Sequence, residues 1–134
     1  MISRMTDALV IDTHPLLWYL ADDQKRLSSF ADDAIRDAEE GETDILIPAI
    51  VIAEAIYVGE KYALSVDIQR LSELIREEPK FLVVSLSMPI LEAMARIEPR
   101  MEMHDRIIAA TARVFGATVI TKDRAFEGVV PTLW

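Results

Sequence analysis

Four short, uninterrupted apolar runs constrain this chain more than any other feature: "ALVID" at 8–12, "DILIP" at 44–48, "FLVVS" at 81–85 and "ATVIT" at 117–121. Each is too short for a buried helix and too uniformly apolar for a strand with one wet face. A strand without polar alternation is one whose two faces are both covered, the pattern of a parallel sheet under helices. The segments between the runs have helical periodicity, and strands alternating with helices require crossover connections. The expected fold is therefore α/β, with a central, mainly parallel sheet of four to five strands. The fifth would be "VVPTLW" at 129–134, with Pro131 marking it as an edge strand.

The helix signals lie between these runs. One helix is expected over 15–21. A second, in "LSSFADDAIRDAEEG", takes Ser28 or Ser29 as N-cap and has Gly41 just past its end. A third is expected over 50–63, and a fourth, "VDIQRLSELIREE", is capped by Ser65. "MPILEAMARIE" tolerates Pro89 in its first turn. "HDRIIAATARVF" at 104–115 ends at Gly116, a residue suited to the left-handed C′ position. No repeat or linker breaks the chain, and 134 residues suit one domain, 1–134.

Composition narrows the function classes. A formal net charge of −9 argues against broad nucleic-acid binding through a basic face. It leaves room for a carboxylate cluster whose local field is reversed by a bound cation. There is no cysteine, which removes disulfides and thiolate metal sites and fits a reducing compartment. The opening "MISRMTD" lacks the apolar core of a signal peptide, and no apolar run approaches the ~20 residues of a membrane span. A cytoplasmic protein is expected, starting at Met1 or Met5.

Within this apolar frame stand isolated acids. Asp12 is the only formally charged residue from Ala8 to Ala21, and Glu54 the only one from Ile45 to Val58. A lone carboxylate in such surroundings is costly unless it is protonated or partnered. Ligands of parallel α/β sheets bind beyond the carboxyl ends of the strands. Asp12 ends the first run, Glu54 lies on the helix after the second, Asp105 opens the helix feeding the fourth, and Asp123 follows the fourth. All four are expected at one end of the sheet, where a hard divalent cation would relieve their repulsion. Each has a plainer reading. Asp12 also suits a helix cap, Glu54 a solvated helix face, Asp105 a residue stabilised by the helix dipole, and Asp123 a surface turn. Thr121 reads as plain strand-end polarity, and His14 and His104 as cleft-edge or structural histidines.

Taken in order, "VIDTHPLLWYL", "IPAIVIAEAIY", "HDRIIAATARVFGATVITKDRAF" and "VPTLW" resemble the PIN-domain family, in particular the VapC-type toxin ribonucleases of bacterial toxin–antitoxin pairs. The resemblance runs from about Ala8 to Trp134. It implies a three-layer α/β/α fold and an acidic cluster binding Mg²⁺ or Mn²⁺. Carried over residue by residue, it implies catalytic roles for Asp12, Glu54, Asp105 and Asp123. Metal ligation falls to Asp12, Asp105 and Asp123, with Thr121 as a hydroxyl supporting the acids from behind. It further implies an RNA substrate, a cognate antitoxin whose tail occupies the acidic cleft, and a homodimer. Some of the basic residues Arg96, Arg100, Arg106, Arg113, Lys122 and Arg124 are expected to contact phosphates or balance the acids, while for any single one of them ordinary surface charge is the favoured reading.

Rival readings are separable on residues. A phosphatase of the haloacid dehalogenase type needs a second Asp two residues after the first, where this chain has His14. A receiver domain needs an Asp at the end of strand three, which here reads "FLVVSLS". A catalytically silent PIN-like binding module and a DNA-directed nuclease both remain open at the level of sequence.

Overall fold

The computed structural model describes residues 8–23, 25–61 and 68–134. Five strands, β1 (Leu9–Ile11), β2 (Ile45–Pro48), β3 (Phe81–Val84), β4 (Thr118–Ile120) and β5 (Thr132–Leu133), form one sheet in the order β3-β2-β1-β4-β5. Every pairing is parallel. The described helices are α1 (Thr13–Leu20), α2 (Ser29–Glu39), α3 (Ala49–Lys61), α4 (Ile68–Glu77), α5 (Met88–Ala95) and α6 (Met103–Phe115). They flank the sheet in the expected three-layer arrangement.

Successive residues of a strand face opposite sides of the sheet. Val10 and Ile11 are both fully buried, as are Val119 and Ile120, so the centre of the sheet is covered on both faces. The expectation of two covered faces fails at β3. Phe81 is buried there, but Leu82 and Val83 are more than two-fifths exposed. The physical reason is position: β3 pairs only with β2 and forms an edge of the sheet.

Local signals set the boundaries. Ser28 Oγ accepts the Ala31 amide at 3.1 Å and caps α2, and Gly41 follows its end with φ of 82°. Gly116 closes α6 with φ of 62°, the left-handed cap conformation. The expected Ser65 cap of α4 lies outside the described residues. Helix α5 stops at Ala95 rather than running to Glu98: Pro99 disfavours helical backbone at Glu98, and the Arg106 guanidinium takes the Met94 and Ile97 carbonyls at 2.9 and 3.1 Å. Pro131 does mark an edge strand, though only Thr132 and Leu133 pair.

Helix α6 is the central one. Ile107 to Ala112 form an unbroken buried stretch, and the helix packs on β1, β4, α3 and α5. Chain order reverses at β1: β2 and β3 extend the sheet on one side, β4 and β5 on the other. Ligands of parallel sheets bind beyond the carboxyl ends at such a switch point. Asp12 and Thr121 immediately follow the two strands, β1 and β4, that flank it.

Candidate active site

Asp12 leaves β1 in extended conformation (ψ 168°) and caps α1. Its side chain is buried, yet both oxygens are held. Oδ1 accepts the Thr13 amide at 2.8 Å, and Oδ2 accepts the Thr121 hydroxyl at 2.7 Å. The Thr121 oxygen in turn accepts the Asp123 amide at 3.0 Å. Amide, hydroxyl and carboxylate thus form one polarised chain across the switch point. Burial pushes the Asp12 carboxyl above its ordinary range; the bonds from Thr121 and Thr13 oppose this, the Glu54 charge adds to it, and His14 opposes it.

Asp105 sits in the first turn of α6, with one face of that helix fully buried behind it. Its carboxyl is pushed up to about 7, first by burial and then by the charges of Asp12, Asp123, Glu102 and Glu54. Asp123 is exposed and accepts the Ala125 amide at 2.9 Å, which starts a 3₁₀ turn over Arg124–Phe126. Glu54 is half-buried on α3. Its Oε1 accepts the Thr13 hydroxyl, and its Oε2 lies 3.8 Å from Nδ1 of His104. The structure therefore brings together all four acids singled out in the sequence, together with Thr121. A cleft of about 460 Å³ opens beside them, lined by Arg100, Met101, Glu102, Asp105, Asp123 and Ala125.

The donor set is made of hard carboxylate oxygens, the chemistry that Mg²⁺ and Mn²⁺ select. Among the described residues, no three His, Asp or Glu side chains close into a finished metal cage. The donor chemistry fits an ion that keeps several of its waters rather than one needing a closed shell.

A model of the PIN domain family matches residues 9–130. The chain belongs to the PIN domain family. No curated protein matches this PIN domain in sequence. Several solved structures share its fold. A chain of VapBC2 from Rickettsia felis, bound to a DNA fragment from its promoter, superposes with a TM-score of 0.68 at 16% identity, over 94% of this chain and 97% of that one. A toxin–antitoxin complex from Klebsiella pneumoniae gives 0.64 at 22% identity, over 94% and 96%. FitAcB from Neisseria gonorrhoeae gives 0.65 at 20%, over the same shares.

Two further residues, Thr13 and Glu102, act on the acids of this PIN domain, as does His104, expected as a cleft-edge or structural histidine. Thr13 is buried and fixes Glu54, Glu102 adds charge against Asp105, and His104 faces Glu54. Thr13 follows Asp12 at a helix start, and Glu102 precedes Asp105 by one turn; those were the only signals available. Most of the basic residues take the plain surface or structural role. Arg106 and Arg113 are spent on backbone carbonyls, Arg100 pairs with Glu98, and Arg124 pairs with Glu127.

Proposed function

We infer that this PIN domain is a metal-dependent endoribonuclease, the toxin of a toxin–antitoxin pair. One observation carries the reading: four carboxylates from four separate elements converge at the switch point, close enough that the others' charges help hold Asp105 near neutrality in its titration. Perturbed carboxylates gathered in a cleft mark a functional site, and a cation or substrate group there would offset their repulsion.

Asp12, Asp105 and Asp123 are the residues that would hold Mg²⁺ or Mn²⁺. When bound, the ion supplies a water of lowered pKa and neutralises charge on a phosphodiester. The chain's own residues do the rest. Thr121 fixes the rotamer of Asp12 while positioning the Asp123 backbone. Thr13 holds one oxygen of Glu54 and leaves the other to orient the attacking water and take its proton. His104 lies beside that second oxygen, 3.8 Å away.

The structural neighbours found within toxin–antitoxin complexes support a protein partner. An acidic cleft fits a basic antitoxin tail. Exposed Leu82, Val83, Leu86 and Met88 around β3 supply apolar surface for that partner or for the second copy of a homodimer.

The test is cleavage of total cellular RNA by the purified chain with Mg²⁺ or Mn²⁺, with chelator, and beside Asp12→Asn. Discrete fragments that require metal and vanish in the variant are expected. Equal cleavage by Asp12→Asn would overturn the site, and metal-dependent cutting of DNA alone would overturn the substrate.

A further inference from the structure

A protein of net charge −9 must hold a polyanion with few phosphate contacts. Of the basic residues near the cleft, Arg106 is held on two carbonyls, Arg100 and Arg124 pair at the exposed surface with Glu98 and Glu127, and Lys122 is exposed beside Asp123. So small a set of cations leaves room for a contribution to RNA binding that does not depend on charge. Stacking on aromatic rings is the charge-independent alternative, because every base has a π-face.

One aromatic row starts at the acids. His14 is exposed on the first turn of α1, two residues from Asp12, and close enough to act on its charge. Its ring lies 5.8 Å from that of Trp18, one turn further along the helix, tilted by 45°. Trp18 lies 5.8 Å from Trp134, just past β5, edge to face at 60°. Both indoles are half-buried. The row thus joins α1 to the β5 edge and leads away from the carboxylates in one direction. Packing against the core accounts for the buried part of each indole. It does not account for the exposed imidazole at the head of the row, next to the candidate metal ligand.

We propose that His14, Trp18 and Trp134 form a stacking subsite for the unpaired bases of single-stranded RNA flanking the scissile phosphate. The proposal rests on the ribonuclease reading of the acids. The row sets which nucleotides can lie beside the cleft, favouring unstacked loop bases over duplex, whose bases are already stacked. His14 and Trp18 would take the base nearest the cut, and Trp134 the next one out.

The chain holds only two tryptophans, Trp18 and Trp134, so intrinsic fluorescence reports on the row directly. The experiment titrates the full chain, in chelator, with a short single-stranded oligouridylate and with an abasic oligomer of equal length and charge. Quenching by the base-bearing strand and none by the abasic one is expected. His14→Ala, an exposed substitution, and Trp134→Leu should each weaken oligouridylate binding on the order of tenfold, within the range for loss of one stacked base. In the cleavage assay the same variants should raise KM by a similar factor, with kcat and Mn²⁺ affinity little changed. Equal quenching by both oligomers, or variants that bind and cleave like wild type, would overturn the subsite while leaving the nuclease intact. Base-dependent quenching in a chain that cleaves no RNA would uphold the subsite and sink the nuclease reading. A Trp134→Leu chain that unfolds leaves His14→Ala to decide.

Discussion

Asp105 is the residue on which the energetics of the cleft concentrate. Its carboxyl is pushed up to about 7 by burial and by four neighbouring acids. An acid whose pKa is raised by folding binds its proton more tightly in the native state. The associated stability is present below the unfolded value near 3.8 and is lost as pH rises through about 7. The metal-free chain should therefore melt at lower temperature at pH 8 than at pH 5.5. Asp105→Asn removes the repulsion and should flatten that dependence, raising Tm at pH 8 by a few degrees, since solvent reaches the site and screens the charges. A melting curve series across pH checks both; an unchanged slope in the variant would contradict the assignment. Thr121→Val tests the hydroxyl that joins Asp12 to the Asp123 backbone. It leaves a buried carboxylate oxygen without its donor, and should cost about 1–3 kcal/mol in stability. RNA cleavage should fall with it by at least tenfold. Loss of stability with full activity would show that Thr121 does not order the acids. At this scale the sequence was legible where a charge stood alone among apolar neighbours, as at Asp12 and Glu54. Thr13 and Glu102 were not legible, because their roles exist only once α3 and the start of α6 approach β1.

Elements place these residues. The three central strands β2, β1 and β4 could be read from their apolar runs because burial on both faces leaves no room for alternation. β3 was overread: its run is as apolar as the others, but its edge position leaves Leu82 and Val83 open. The end of α5 was drawn too late: Pro99 disfavours helix at Glu98, and Arg106 from α6 takes carbonyls of the segment in between. The 3₁₀ turn over Arg124–Phe126 was likewise unforeseen. It follows from Asp123 capping its own downstream amide, and it buries Phe126 completely. Phe126 therefore anchors the segment that carries Asp123. Phe126→Ala should destabilise the chain by about 3–5 kcal/mol. Phe126→Leu, which keeps most of the volume, should cost less than about 1.5 kcal/mol and preserve cleavage. Denaturant titration separates the two; near-equal losses would mean that the turn is not anchored by packing.

The whole molecule combines a parallel sheet, a topological switch point and an acidic surface. The sheet brings residues far apart in sequence to one end, and the reversal at β1 opens the crevice there. Among the described residues no helix is long and apolar enough to cross a membrane. The central claim is that the acids gathered in this crevice are a metal centre. Calorimetric titration of the metal-free chain with Mn²⁺ at pH 8 tests it most directly, run beside Asp12→Asn and Asp105→Asn. The account predicts saturable binding to the wild type, a rise in Tm with added metal, and loss of both in each folded variant. Wild-type affinity retained by both variants, or a chain that binds no divalent cation at all, would contradict it.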